Sequence, residues 1–178
     1  MTSSPPTAVV VGAGIIGTWH ALELLDAGFV VEHLEADPAP VGASVRNFGL
    51  VWVSGRRSGN ELDVARRARA RWEEMGAQVP EVGFRPNGSL TVATTAAERS
   101  VMTAFAQLPD ASARSITFLE PDEVRACNPA VRGDITGALH CSLDGVVEPR
   151  LAPGALRAHL AAQAPDRYRF HPGHRVTD

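Results

Sequence analysis

Gly12, Gly14 and Gly17 are spaced as a chain requires if it is to turn tightly, bring its backbone close to a ligand and pack the next helix close to a strand. Such a loop at a helix start binds phosphate, because the helix presents unpaired N–H groups and partial positive charge there. Glu35 follows Gly12 by 23 residues, close to the roughly 20 at which an acidic side chain meets ribose hydroxyls. A carboxylate there repels a 2′-phosphate, which disfavours NADP. The chemistry is that of a dinucleotide site, and this spacing does not by itself separate FAD from NAD.

A second cluster follows. Gly42, Ser44, Arg46, Asn47 and Gly49 run directly into the apolar Leu50-Val51-Trp52-Val53. A simple NAD dehydrogenase would usually place another crossover helix here. Small residues instead let backbone approach a bulky planar ligand, and Ser44 and Asn47 offer hydrogen bonds to phosphate or ring heteroatoms. The segment therefore favours a flavin. Arg46 can face the flavin or an anionic substrate, or bond to carbonyls of its own loop. Arg56 and Arg57 read as a surface loop, and Arg66, Arg67 and Arg71 as a solvated helix face. His20, His33, His140, His159, His171 and His174 are scattered and read as structural or exposed. No metal cluster is suggested, and no general base is obvious, so the catalytic residue is unknown.

The elements that must position these residues follow from hydrophobic periodicity. Thr7 to Val11 is a β-branched run expected as a strand buried on both faces. Ile15, Trp19, Leu22 and Leu25 recur at helical spacing, with Gly28 as the stop. Val30 to Glu35 is the second strand of a βαβ unit. Further on, a helix is expected over 61–75 and a turn at Asn87-Gly88 before a strand from Ser89 to Ala93. A Thr95/Glu98 capping box opens a helix to about Leu108. Strands at Ile116 to Leu119 and Ile135 to Ser142, a brief helix from Pro121 and an Asp144-Gly145 turn complete this region. A helix over about 153–164 and a strand starting at Tyr168 close the chain.

The chain has 178 residues, 44% hydrophobic and 21% charged, enough for a packed core. The net charge of −3 argues against a nucleic-acid surface, and all 17 basic residues are Arg. No apolar run approaches the ~20 residues of a membrane span. Met1 to Pro6 lacks the pattern of a signal peptide and reads as a frayed lead-in. Cys127 and Cys141 show no metal spacing and read as two reduced, buried thiols of a cytoplasmic protein.

Taken together, "VVVGAGIIG", "VEHLEAD", "GASVRNFG", "NGSLTVA", "LEPDEVRACNPAV", "GALHCSLDGVVEPRLAPGAL" and "HPGHRV" resemble segments of the D-amino-acid-oxidase-like FAD-dependent oxidoreductases, the superfamily of glycine and sarcosine oxidases. Glu148 stands where the family often has Asp. The resemblance implies FAD as cofactor, a small-molecule amine as substrate, and oxidation of a C–N bond to an imine by hydride transfer to the flavin. "ASVRNFG" and "NGSL" are closest to a branch associated with phosphonate catabolism, which suggests an aminoalkylphosphonate substrate. The implied fold is α/β with an α+β insertion: a Rossmann-like FAD-binding βαβ domain and an antiparallel-sheet substrate domain, incomplete at the C-terminus. The regions expected are 1–83 and 149–178 for FAD binding and 84–148 for the substrate domain. The implied cofactor-binding residues are Gly12, Gly14, Ile15, Ile16, Gly17, Glu35, Ala36, Ser44, Arg46, Asn47, Gly49, Leu50 and Val176, the last lying against adenine through its backbone.

Family members are much longer, and the chain stops soon after the segment carrying Val176. The expectation is a half-built flavin site and exposed apolar surface, completed in an intact enzyme or by a second chain that supplies the C-terminal half. A truncated or non-catalytic dinucleotide-binding subunit and an NAD-dependent dehydrogenase are the alternatives.

Overall fold

A computed structural model describes residues 4–177, so the first three residues of the expected lead-in lie outside the described residues. The chain divides into two compact units. The first comprises Met1–Gly49, Met75–Gly83 and Val147–Asp178, and the second Leu50–Glu74 and Phe84–Val146. Residues 50–74, expected with the first region, belong to the second unit, and the chain re-enters the first unit at 147 rather than 149.

The first unit is built on three parallel strands, β1 (Thr7–Val11), β2 (Val30–Glu35) and, in the last position of chain order, β8 (Tyr168–Pro172), arranged β1-β2-β8. Thr7 pairs with Val30, and Val31 pairs with Tyr168. Helix α1 (Ile15–Asp26) connects the first two strands, and α6 (Ala152–Gln163) leads into β8. The two helices pack together, with Ala21, Leu22, Leu25, Leu156 and Leu160 buried. Each such leucine contributes about 1.5–3 kcal/mol by leaving water. Gly28 ends α1 as expected: its φ is +90°, and Phe29 N–H reaches back to the Leu24 carbonyl at 3.0 Å.

β1 departs from the expectation of a strand covered on both faces. It pairs only with β2 among the described residues, and Val9 and Val11 are 60% and 63% exposed. Gly12 N–H donates to the Leu34 carbonyl. By strand alternation, the backbone groups of Val9 and Val11 therefore face away from β2.

The second unit contains β3 (Leu50–Val51), most of α2 (Asn60–Gln78), β4 (Ser89–Ala93), α3 (Ala96–Ala106), α4 (Ala111–Arg114), β5 (Ile116–Leu119), α5 (Pro121–Cys127), β6 (Gly137–Cys141) and β7 (Gly145–Val146). The sheet is antiparallel with order β4-β6-β5, and β3 pairs antiparallel with β7. The Thr95/Glu98 capping box is formed at α3. β6 starts two residues later than expected, at Gly137, whose φ of +143° sits against Phe118. The helix α4 had no signal in the sequence: it is a single turn closed by Ser115 at φ +50°. Ile116, Leu139 and Cys141 form the core, with Met102 and Phe105 packed on it.

The Asp144-Gly145 turn is more than a turn. Asp144 is fully buried. Its Oδ1 accepts from the N–H groups of Val53 and Ser54 at 2.7 and 3.0 Å. Its Oδ2 accepts from the hydroxyls of Ser54 and Ser89, each at 2.6 Å. Burial pushes its pKa up, but the four donors outweigh burial and hold the carboxyl below its ordinary value. Of the two cysteines, Cys141 is buried as expected, whereas Cys127, at the end of the short α5, is exposed; both are free thiols. No helix among the described residues is long and apolar enough to cross a membrane.

Candidate functional site

The glycine-rich turn joins β1 to α1. Gly12 adopts φ +96°, which only glycine takes without strain. Gly17 permits the close approach that the spacing implied: a Cβ there would run into the Gly12 carbonyl oxygen. Gly14 is the N-cap of α1 and provides no side-chain cap. The N–H groups of Gly14 and Ile16 carry no hydrogen bond among the described residues. Ile16 is 69% exposed. A cavity of about 570 Å³ opens here, lined by Val9, Gly12, Gly14, Ile16, Gly17 and Ser44 among others. Open donors at a helix start beside glycines without side chains are what a phosphate needs.

The turn is held from below by buried polar groups. His33, fully buried on β2, places Nε2 3.1 Å from the Gly12 carbonyl and Nδ1 2.9 Å from the Tyr168 hydroxyl. A carbonyl can only accept, so Nε2 carries the proton and Nδ1 accepts from Tyr168. Burial pushes the His33 pKa down, helped by the Arg157 charge. Burial likewise pushes the Tyr168 hydroxyl up to about 12.

Glu35 lies at the end of β2, where the spacing placed it. Its Oε2 accepts from Ala13 N–H at 2.8 Å and its Oε1 from Asp37 N–H at 3.2 Å. Desolvation opposes its charge, but the N–H groups of Ala13, Asp37 and half-buried Ala36 hold the carboxyl below its ordinary value. The acid thus ties the second strand to the glycine-rich turn, a role the spacing rule does not include.

The Gly42 segment forms one turn of 3-10 helix at Ala43–Val45. Ser44 is brought onto the glycine-rich turn, its Oγ accepting from Ile15 N–H at 2.9 Å. A Cβ on Gly14 would lie 2.8 Å from that oxygen. Asn47 is turned inward. Its amide donates to the carbonyls of Ala43 and Ser44 at 2.9 Å each, and its Oδ1 accepts from Gly49 N–H at 2.6 Å. Gly49 adopts φ +71°, with the Val147 carbonyl where a Cβ would go. Arg46 is exposed and its guanidinium makes no hydrogen bond or ion pair among the described residues. Leu50 begins β3 in the second unit, opposite Val146 and 49% exposed. Val176 is 55% exposed. The strand expected to carry it ends at Pro172, after which Gly173 and His174 donate N–H bonds to the carbonyls of Asp37 and Glu35.

Arg157, on α6, carried no signal in the sequence. Its Nη1 donates to the Ala13 carbonyl at 2.7 Å, and its guanidinium lies 4.7 Å from the Phe170 ring centroid. Nothing in a local pattern pairs residues 144 positions apart. Among the described residues no group of side chains is arranged to hold a metal.

Comparison with known proteins gives the geometry its family. The chain resembles the crystal structure of glycine oxidase from Bacillus cereus ATCC 14579, with a TM-score of 0.81 and 24% identity, covering 98% of this chain and 48% of that one. It also resembles the FAD-bound L-alpha-glycerophosphate oxidase of Mycoplasma pneumoniae, with a TM-score of 0.76 and 21% identity over 99% of this chain and 47% of that one. In sequence it is 28% identical over 153 residues to an opine oxidase subunit of Rhizobium meliloti, covering 76% of this chain and 40% of the relative. The chain thus spans about half the length of these relatives, or somewhat less. The family described as FAD dependent oxidoreductase matches residues 7–178. With a glycine-rich turn, an acid at the end of the second strand and open amides at the start of α1, the chain belongs to that FAD-dependent oxidoreductase family.

Proposed function

We propose that this chain is the dinucleotide-binding portion of an oxidoreductase that oxidises the C–N bond of a small amine or amino acid. The observation that carries the reading is the open N-terminus of α1, where the N–H groups of Gly14 and Ile16 carry no hydrogen bond among the described residues and stand beside side-chain-free glycines. Gly12, Gly14, Ile15, Ile16, Gly17 and Ser44 would hold the pyrophosphate of FAD. Glu35 and Ala36 would meet the ribose, and Val176 the adenine. Arg46, Asn47 and Gly49 would stand on the flavin side, with the Arg46 guanidinium free to meet an anionic group. When bound, FAD supplies the two-electron acceptor for the carbon bearing the amine. The protein's own contribution is to bind, orient and exclude water.

Glycine oxidase and opine oxidase among the relatives support an amine or amino-acid substrate. The wording of "ASVRNFG" and "NGSL" extends the class to aminoalkylphosphonates. The exposed outer edge of β1, and an opine oxidase relative that is itself one subunit of its enzyme, favour completion of the site by further residues, in the same polypeptide or in a second chain.

The test has two parts. Titration of the chain with FAD, followed by flavin fluorescence, is expected to give saturable one-to-one binding. The completed enzyme is expected to consume amines from a panel that includes aminoethylphosphonate. Preference for NAD over FAD in the titration would sink the reading, and FAD binding without turnover of any amine would leave the chain a dinucleotide-binding subunit.

A further inference from the structure

Two consecutive peptide planes form the floor of the glycine-rich turn, and they are held differently. The Gly12–Ala13 plane is fixed at both ends, its carbonyl by His33 at 3.1 Å and its N–H by Glu35 at 2.8 Å. The Ala13–Gly14 plane has a single short bond, from Arg157 to the Ala13 carbonyl at 2.7 Å. The Thr18 hydroxyl lies 3.5 Å from the same oxygen, at the limit of a hydrogen bond. In a trans peptide the C=O and the following N–H point in opposite directions. Whatever holds the Ala13 carbonyl therefore aims the Gly14 N–H. The plane turns about ψ of Ala13 and φ of Gly14, and the second of these hinges is a glycine, which leaves it less restrained than an ordinary peptide.

Arg157 is built for that role. Its guanidinium lies over Phe170, an arrangement that fixes a planar fork. Ala13 itself is completely buried. Resting on the FAD reading, we propose that Arg157 is a positioning residue for the cofactor's phosphates: by gripping the Ala13 carbonyl it holds the Gly14 N–H outward at the start of α1. It acts through the peptide, not through the reacting atoms.

The experiment uses the full chain labelled with 15N-glycine, and FAD as the probe. In Arg157→Met, the Gly14 amide signal is expected to broaden or double as the peptide samples two orientations. FAD affinity should fall about tenfold or more, the scale of losing one charged hydrogen bond. Arg167→Met is the control. Arg167 also donates to main-chain carbonyls in the first unit, those of Leu25 and Phe29 at 2.9 and 3.3 Å, so its loss should lower stability but leave FAD affinity and the Gly14 signal unchanged. Affinity in Arg157→Met within twofold of wild type overturns the proposal. So does loss of affinity with an unaltered Gly14 signal, which would mean direct contact with the ligand. Should Arg157→Met fail to fold, Arg157→Lys keeps the charge but not the planar stack, and about threefold weaker FAD binding with a broadened Gly14 signal is expected. Behaviour identical to wild type overturns the proposal. Failure of wild type to bind FAD overturns the FAD reading and the proposed target of the grip, while the Gly14 signal still reports whether Arg157 holds the peptide.

Discussion

Asp144 illustrates how much a single side chain can organise. Four donors from two segments of the second unit converge on one buried carboxylate. Asp144→Ala leaves those donors without an acceptor, and stability is expected to fall by about 3 kcal/mol. That corresponds to a melting temperature lower by about 6–12 °C, measurable by thermal circular dichroism. The sequence disclosed the turn at this position, through Asp-Gly, but not the network, because Val53, Ser54 and Ser89 lie far away along the chain. The same limit applies to His33 and Arg157. A histidine in an apolar strand reads as structural, which it is. Its bond to the Gly12 carbonyl needs the strand register, and the Arg157 bond needs the docking of α6. Ser44, expected to bond a ligand, instead accepts from the Ile15 N–H of the glycine-rich turn, a partner that only the fold supplies. Asn47 departs likewise, since its amide closes its own loop.

At the level of elements, local rules were reliable wherever the signal was local. The Thr95/Glu98 box caps α3, with Glu98 Oε2 accepting from the Thr95 N–H at 2.9 Å and Thr95 Oγ1 accepting from the Glu98 N–H at 3.2 Å. Thr95→Ala should cost about 1 kcal/mol, and a denaturant titration should move its midpoint without changing its slope. Gly28 stops α1 for an equally local reason. The elements that escaped notice were those set by packing: the single turn of α4, the late start of β6 opposite Phe118, and the extension of α2 to Gln78. Residues 50–74 fall in the second unit on the same account, since only tertiary pairing, Leu50 with Val146, tells where β3 belongs.

For the whole molecule, titration should appear in two stages. His33 binds its proton less readily when folded than an ordinary histidine, because it is buried. Its contribution to stability is therefore present above about pH 6.5 and declines as the pH falls below that value. Asp144, Glu35 and Glu32, the last paired with His171 and Arg169, are held below their ordinary values. Their contribution is complete above about pH 5 and is lost progressively as the pH falls through about 4. Urea unfolding at a series of pH values is expected to show a shallow loss below neutrality and a steep one below about pH 4. His33→Gln should flatten the first and spare the second. The outward-facing strand edge of β1 has a further use. Amides at Val9 and Val11, which face no partner among the described residues, are expected to exchange readily with solvent, whereas the same amides inside a widened sheet would be strongly protected. Deuterium uptake at those two positions is thus a built-in gauge of assembly: it would report the arrival of a neighbouring strand without any label, and before any activity could be assayed.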